Sequence, residues 1–345
     1  MLSLWLMVSA DSTPLSVVGY LDFSYQGWDG PGSPTGEKQE SKLWWNDGFW
    51  WASMFNSSSS TFHIYRLNWG THTWEDWGVE LDDRIDSKAD VLWDDTAKKL
   101  YVASHVAVQS DGEVVATDVN WARLYRFSYD AGAQTYMLDD GFPVKMNQDK
   151  SESLVLAKDP TSGRLWITWV SRGLTPKINP DYRVFLNSST DDGASWGTPI
   201  VPTLNVTATA VHVGRGDSSA IVAVANKVAI MWNNSISNTN QTLHFAYHDA
   251  STDVGNWTHQ QVAVPEGADD HISVKSLQST TDGKVFAGIK TTAVTSGSPP
   301  EQTLIALFGI DINTGQKIMR RYSTNYDKDT RPMVMIDLGD KANTA

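Results

Sequence analysis

Nine charged side chains recur at matching places of a repeating sequence, and their types could bind an acidic ligand. They are Lys42, Arg84, Lys88, Glu152, Arg215, Asp270, His271, Lys275 and Arg331. Arg84, Arg215 and Arg331 fall in alternate repeats. Three guanidiniums that converge on one point would hold a carboxylate through bidentate, charge-assisted hydrogen bonds. The competing interpretation is a ring of ion pairs that links neighbouring sheets around a solvated channel.

His271 is the candidate catalytic residue, because it follows Asp269 and Asp270 directly. A neighbouring carboxylate can raise the pKa of an imidazole and let it serve as a base. The alternative is an ordinary loop histidine whose hydrogen bonds are satisfied locally.

Composition excludes several kinds of site. The chain has no cysteine, so it has no disulfide framework and no thiolate ligand or nucleophile. Its histidines show neither an H-x-H nor an H-E-x-x-H spacing, and no calcium-loop pattern occurs, so we predict no metal and no cofactor. The net charge of −13 argues against nucleic acid and anionic membranes as partners. No run of 18 apolar residues is present, and membrane insertion is not expected.

An internal repeat must position these residues. A turn glycine recurs at Gly70, Gly132, Gly193, Gly255 and Gly315, at spacings of 62, 61, 62 and 60 residues. Each follows an apolar strand such as FHIYRL from Phe62 or ARLYRF from Ala122, and a second strand comes after it. We expect the glycine to supply the positive φ of a tight hairpin.

A second family of hairpins lies between these. Each has a strand, a short Asp/Gly/Asn turn and another strand, as in SKLWWNDGFWWASMF from Ser41. Each repeat of about 61 residues therefore holds four antiparallel strands, which predicts an all-β, six-bladed β-propeller in one domain spanning residues 1–345. The charged residues would then gather where the innermost strands begin, at the mouth of the central channel.

Five repeats are complete, and both ends of the chain offer parts of a sixth. Residues 331–338 match an innermost strand, while residues 4–9 and 14–21 match a third and an outer strand. The last blade would thus be shared by the termini, which removes free sheet edges. Residues 1–10 could instead be a signal-peptide remnant, and the chain could be truncated at its C-terminus.

One turn resembles a known motif. Ser189, Asp191, Gly193 and Trp196 match S-x-D-x-G-x-[ST]-W, which resembles the Asp box of the bacterial neuraminidase repeat found in sialidase-like propellers. The resemblance implies a structural turn, in which Asp191 accepts backbone hydrogen bonds and Trp196 packs between blades. It implies nothing about chemistry, because fold does not give function.

The sialidase family would add an arginine triad, an Asp acid and a Tyr–Glu nucleophile pair. Here the Arg-Ile-Pro motif is absent, and no Tyr–Glu pair can be assigned. Propeller polysaccharide lyases use a histidine with Arg or Lys beside a uronate carboxylate. His271, Lys275, Arg84 and Lys88 would supply those groups.

These patterns favour a carbohydrate-recognising propeller for acidic glycans. The alternatives are a polysaccharide lyase or glycoside hydrolase acting at the central mouth, and a structural surface or adhesion module. Six N-x-[ST] patterns in predicted loops or strand ends favour an extracellular or cell-surface location, at Asn56, Asn187, Asn205, Asn233, Asn240 and Asn256. The oligomeric state is left open.

Overall fold

The chain forms antiparallel β-strands throughout most of its described part. The computed structural model describes residues 39–106, 121–149, 151–171, 182–205, 208–236, 242–249, 253–262, 264, 266–276, 283–293 and 300–334. The only helical turn in these ranges is a 3-10 turn at Ala208–Val211. None of their helices is long and apolar enough to cross a membrane.

The strands form five sheets, which follow one another along the chain. Sheet 1 contains β1 (Leu43–Asn46), β2 (Phe49–Asn56), β3 (Thr61–Asn68) and β4 (Thr73–Asp82). Sheet 2 contains β5 (Ser87–Asp94), β6 (Lys99–Val106), β7 (Ala122–Asp130) and β8 (Thr135–Leu138), with β9 (Val144–Asn147) also paired to β7. Sheet 3 contains β10 (Leu154–Lys158), β11 (Leu165–Ser171), β12 (Tyr182–Ser189) and β14 (His212–Val213). Sheet 4 contains β15 (Ser219–Val224), β16 (Lys227–Asn234), β17 (Thr242–Asp249) and β18 (Asn256–Val262), with β13 (Thr203–Leu204) added to β18. Sheet 5 contains β19 (Ala268–Ser276), β20 (Lys284–Thr291), β21 (Thr303–Asp311) and β22 (Lys317–Thr324).

The first strands of consecutive sheets contact one another in chain order. β1 contacts β5, β5 contacts β10, β10 contacts β15, and β15 contacts β19. This order of contacts is propeller-like, and each sheet corresponds to one blade. The all-β prediction is confirmed. Six blades, a blade shared by the termini and a single domain stay predictions. Residues 1–38 and 335–345 lie outside the described residues, and residues 325–334 contain no strand.

Alternation along each strand supplies apolar side chains to both neighbouring sheets. In β6, Leu100 and Val102 pack towards sheet 1, whereas Tyr101 and Ala103 pack towards sheet 3. All four are fully or almost fully buried. A strand with both faces covered needs apolar residues at every position, which is why the inner strands are almost continuously hydrophobic. Each large side chain buried in this way contributes roughly 1.5–3 kcal/mol of transfer free energy.

The prediction of a positive φ at the turn glycines is confirmed at Gly193 and Gly315 and is wrong at Gly132. Asp130 Oδ1 accepts hydrogen bonds from the backbone N–H groups of Gly132 (2.8 Å) and Ala133 (3.1 Å). The positive φ falls at Gln134 (51°), not at Gly132. A Cβ on Gly132 would lie 3.3 Å from that Asp130 oxygen, so glycine is favoured by the close approach of the side chain. Matching side-chain bonds to backbone N–H are made by Asn68, Asp253 and Asp311.

The turn after β12 has its own network. Asp191 Oδ1 accepts from the Ser195 N–H (2.9 Å) and from the Ser189 hydroxyl (2.7 Å), and Ser189 Oγ accepts from the Gly193 N–H (2.9 Å). Gly193 has a φ of 88°, and a Cβ there would come within 2.3 Å of Leu124 in sheet 2. Trp196 is half-buried against the core between sheets 2 and 3.

The strand expected after this turn does not form as predicted. Ile200 makes a single bridge to Leu186 of β12. The outer edge of sheet 3 is instead completed by β14, which pairs with Tyr182 and Arg183. The Ser189 turn is held by side chains, and after it only the Gly197 N–H bond to the Ser188 carbonyl and the two Ile200–Leu186 backbone bonds join the chain to β12.

We expect Gly193→Ala to lower the free energy of unfolding by about 1–3 kcal/mol, because it forces an L side chain into positive φ against Leu124. Gly132→Ala is the matched control and should cost at most about 1 kcal/mol, since its φ is ordinary. Urea unfolding of the three proteins measures the difference. Equal losses in both variants would contradict the role given to Gly193.

Candidate functional site

The chain segment before β1 reaches into the centre, where the first strands begin. Gln39 Nε2 donates to Ser218 Oγ, just before β15, at 2.5 Å. The next residue, Glu40, contacts sheets 2 and 3. This segment therefore joins sheet 1 to three other sheets. We call Gln39, Glu40, Lys42, Lys88, Asp90 and His105 the central cluster.

Glu40 and His105 form a buried pair. Glu40 Oε1 lies 3.1 Å from His105 Nε2 and accepts from the Leu154 N–H at 3.2 Å. The two side chains are 0% and 2% exposed. Glu40 Oε2 and His105 Nδ1 are both buried and have no hydrogen-bond partner within the described structure. Such atoms are costly to bury alone, and they are the groups that a ligand hydroxyl could satisfy.

Burial and charge act in opposite directions on this pair. Burial raises the pKa of Glu40, but the His105 hydrogen bond and the charge of Lys42 outweigh it and lower that pKa to about 2. Burial lowers the pKa of His105, against the pull of Glu40. The pair therefore holds a carboxylate beside a neutral imidazole near neutral pH.

Asp90 is a second buried carboxylate with backbone partners. It accepts the Ser41 N–H of sheet 1, and its Oδ2 accepts the Leu156 N–H of sheet 3 at 2.8 Å. Asp90 itself belongs to β5 of sheet 2. Glu40 and Asp90 thus each bind backbone donors on neighbouring sheets.

Lys42 and Lys88 lie beside these carboxylates. The Lys42 ammonium donates to the Ala89 carbonyl. Burial lowers the pKa of Lys42; Glu40 and Asp90 oppose this, whereas the charge of Lys88 adds to it. Lys88 pairs with His105 in the ladder and is 7% exposed. Among the described residues, neither lysine forms an ion pair with a carboxylate.

The three-arginine site does not form through Arg84. Its guanidinium makes a two-point contact with Asp82, with Nε to Oδ1 at 2.9 Å and Nη2 to Oδ2 at 2.7 Å. It also donates to the Trp121 carbonyl at 2.7 Å and to Ser104 at 3.1 Å. Arg215 and Arg331 are exposed. With its donors committed to Asp82 of sheet 1, Ser104 of sheet 2 and the Trp121 carbonyl, Arg84 is unavailable to clamp a ligand.

His271 lies in a strand and not in a loop, because β19 spans Ala268–Ser276. Its Nδ1 is hydrogen-bonded to Asp269 Oδ1, and Lys290 holds Asp269 Oδ2 at 3.0 Å. Asp270 and Lys275 also lie in β19, but their side chains are outside the described part. Glu152 is half-buried just before β10.

Sequence reasoning did not select Glu40, Asp90 or His105 as ligand-binding residues. A usable signal existed, since all three are polar residues next to apolar segments: Glu40 precedes β1, Asp90 lies in β5, and His105 lies near the end of β6. Asp149 was also not selected. Burial raises the pKa of its carboxyl against the Trp169 Nε1 hydrogen bond at 3.1 Å.

The asparagines of the N-x-[ST] patterns differ in their exposure to solvent. Asn187 and Asn233 are 2% and 1% exposed and lie within β12 and β16, so an oligosaccharide could not be attached there in the folded chain. Asn205 and Asn256 are exposed. Asn240 lies outside the described residues.

No protein-family model matches this chain, and no curated protein matches it. Solved structures with detectable similarity include a thermostable family-43 glycoside hydrolase, with 12% identity, TM-score 0.45, and coverage of 84% of this chain and 94% of that one. An α-L-arabinofuranosidase from Lactobacillus brevis has 11% identity, TM-score 0.42, and coverage of 85% and 93%. A Hadza microbial sialidase has 10% identity, TM-score 0.41, and coverage of 80% and 54%.

Because the pKa of Glu40 is lowered, its carboxylate should stabilise the fold fully above pH 4.5 and lose that contribution as the pH falls towards 2. The loss should be on the order of 3 kcal/mol and should be absent in Glu40→Gln. Chemical unfolding at several pH values measures it. Glu80→Gln, at an exposed position of β4, is the control. A constant difference between wild type and Glu40→Gln from pH 5 to 2 would contradict the assignment.

Proposed function

We propose that this protein binds carbohydrate at the central cluster and prefers glycans that carry an acidic group. The observation that carries the proposal is the Lys42–Lys88 pair, two neighbouring cations that have the charges of Glu40 and Asp90 nearby but form no direct ion pair with a carboxylate among the described residues. Buried cations are favoured only when an opposite charge compensates them. An incoming carboxylate or sulfate would supply that charge.

The nearby carboxylates do not remove this demand for an anion. Glu40 and Asp90 already accept backbone N–H groups from neighbouring sheets, which stabilises their negative charge. Lys42, in contrast, donates to a neutral carbonyl. Glu40 and Asp90 also act on Lys42 by charge, and a ligand anion would add a direct contact to the two lysines.

A sugar suits the rest of the cluster better than a simple anion does. Glu40 Oε2 and His105 Nδ1 lack partners, and Gln39, the chain neighbour of Glu40, adds an amide that is bonded to the Ser218 hydroxyl. Sugar hydroxyls donate and accept, so they can satisfy such a mixed set of groups. One acidic group and several hydroxyls are the combination found in a uronate.

The proposed location is the cell surface or the extracellular medium. Asn205 and Asn256 are exposed members of the acceptor patterns and would be accessible for glycosylation. Mass spectrometry of the protein from its native source would test modification at these two positions.

Lys88→Met should weaken binding of a uronate-containing oligosaccharide about 10- to 100-fold, which corresponds to one charged contact. Binding of a neutral oligosaccharide should change little. The same variant should be as stable as wild type or more stable by about 0.5–2 kcal/mol, because a buried cation is removed. Isothermal titration calorimetry and thermal melting give the two readings.

Lys227→Met is the matched control, because Lys227 pairs with Asp249 near the turn between β15 and β16, away from the central cluster. It removes the same charge and should leave binding unchanged. Equal weakening by both variants would indicate nonspecific attraction. If no glycan on an array binds the wild type, the structural or adhesion interpretation replaces this one.

A second function is favoured by the contact between His271 and Asp269. A carboxylate bonded to Nδ1 fixes the imidazole tautomer in which Nε2 can accept a proton. This arrangement would suit a polysaccharide lyase or glycoside hydrolase.

If the protein cleaves an acidic polysaccharide, His271→Asn should lower kcat at least about 100-fold while ligand affinity is retained. Product detection by mass spectrometry and calorimetry separate the two effects. Lys88→Met should show the opposite pattern, with weakened binding. Unchanged turnover in His271→Asn would exclude it as the base.

A further inference from the structure

The turn between β2 and β3 brings two hydroxyl groups to one imidazole. Residues 57–60 of this turn are four exposed serines. His63 Nε2, in β3, lies 2.9 Å from Thr61 Oγ1 and 3.2 Å from Ser59 Oγ. The two hydroxyl oxygens are 2.7 Å apart. All three atoms are therefore within hydrogen-bond distance of one another.

A carboxylate holds the other nitrogen of the same ring. His63 Nδ1 lies 2.8 Å from Asp76 Oδ2 of β4. Asp76 also accepts from Asn56 Nδ2 at 2.5 Å and, through Oδ1, from the Gly78 N–H at 2.8 Å. An ionised carboxylate can only accept hydrogen bonds, so the imidazole proton lies on Nδ1. His63 Nε2 is then left as an acceptor that faces the two hydroxyl groups.

A bulge in β4 makes this contact possible. Trp77 and Gly78 have no partner in the β3 ladder, and Gly78 has a φ of 74°. Asp76 therefore lies opposite Tyr65, on the face of sheet 1 that also carries His63. Bulges of this kind often redirect a side chain next to a functional site.

We propose that Ser59, His63 and Asp76 form a catalytic triad that hydrolyses carboxylic esters. The set contains a nucleophilic hydroxyl, a base within hydrogen-bond distance of it and a carboxylate that orients the base. Ser59 is exposed, whereas Thr61 is half-buried in β3, so a substrate reaches the Ser59 hydroxyl first. This activity goes beyond glycan binding and uses no residue of the central cluster.

The reaction needs only an ester and one water molecule. Ser59 Oγ bonds to the ester carbonyl carbon while its proton moves to His63 Nε2, directly or through Thr61 Oγ1. The alcohol leaves with that proton, and the acyl group stays on Ser59. Water then attacks the acyl carbon and gives one proton to Nε2, which returns it to Ser59 as the carboxylic acid leaves. Asp76 stabilises the imidazolium in both halves.

The turn also limits which esters can react. The N–H groups of Ser58 and Ser59 donate to Asn56 Oδ1 at 2.8 and 3.2 Å, and the Ser60 N–H donates to the Asn56 carbonyl at 2.8 Å. These three donors are therefore not available as an oxyanion hole, whose donors are each worth roughly 100- to 1000-fold in rate. We expect hydrolysis of esters with a good leaving group and not of amides.

Sheet 4 repeats part of this arrangement in a closed form. Thr242 Oγ1 lies 2.8 Å from His244 Nε2, and His244 Nδ1 lies 2.8 Å from His259 Nε2. Trp232 stacks on His244 with ring centroids 5.2 Å apart, and His244 is 5% exposed. The Thr-x-His contact is thus a feature of the strand by itself. In sheet 1 the third group is a carboxylate, and the ring lies beside an exposed turn.

Covalent labelling of the full chain tests the nucleophile. A fluorophosphonate should add once to the wild type, and peptide mass spectrometry should place the adduct on Ser59. Ser59→Ala should remove the adduct. Ser58→Ala is the matched control in the same turn and should keep it. An adduct on Thr61, or no adduct on the wild type, would overturn the proposal.

Hydrolysis of p-nitrophenyl acetate gives the second reading. Ser59→Ala and His63→Gln should each lower kcat/KM at least about 100-fold, and Ser58→Ala should leave it unchanged. Asp76→Asn should lower kcat/KM at least about 10-fold and slow the labelling of Ser59, because Nδ1 loses its acceptor. Thermal melting establishes that each variant is folded. Retained turnover in Ser59→Ala with loss in His63→Gln would assign the reaction to the imidazole alone and overturn the triad.

Discussion

The innermost strands of neighbouring sheets lie side by side but belong to different ladders, so regular backbone pairing does not join them, although the Val91 N–H of β5 donates to the Ser41 carbonyl before β1 at 2.9 Å. Their polar N–H groups near the centre still need acceptors. Asp90 bridges sheets 1 and 3 from sheet 2, and Glu40 bridges sheets 2 and 3 from sheet 1. At the centre, these two buried carboxylates thereby accept backbone N–H groups, as main-chain carbonyls do within each sheet. The positions of the surrounding lysines and of His105 follow from that requirement.

A similar device operates between sheets 2 and 3 away from the centre. The Asp192 carboxylate accepts a hydrogen bond from the Tyr101 hydroxyl and forms ion pairs with Lys158 Nζ at 3.2 Å and Arg126 Nη1 at 3.0 Å. It therefore joins the turn after β12 to both sheets. Apolar packing supplies most of the free energy between sheets, but it is not directional. The charged contacts are directional and set the register in which one sheet meets the next.

The central cluster contains two kinds of buried charge, and they affect the fold differently. Carboxylates that accept backbone N–H groups stabilise the fold, whereas two neighbouring lysines without a direct ion pair would cost stability until the proposed ligand binds. Local destabilisation of this kind is typical of binding sites. Residue type alone does not show which cations are paired. Arg84, between β4 and β5, and Lys88, in β5, are both buried, but of the two only Arg84 forms an ion pair with a carboxylate in the described residues.

The sequence by itself determined the strand pattern, because side-chain alternation and Asp or Asn turn residues act locally. The hairpins of sheets 1, 2, 4 and 5 therefore appear close to where the 61-residue register places them. Tertiary structure decided the rest. Glycine is favoured at position 132 by the close approach of the Asp130 side chain and not by a positive φ. Sheet 3 has β14 as its outer strand, and Arg84 is ion-paired with Asp82. Each outcome depends on which distant groups meet once the sheets pack. Local sequence specifies the strands, but the pairing of buried charges is settled only by three-dimensional distance.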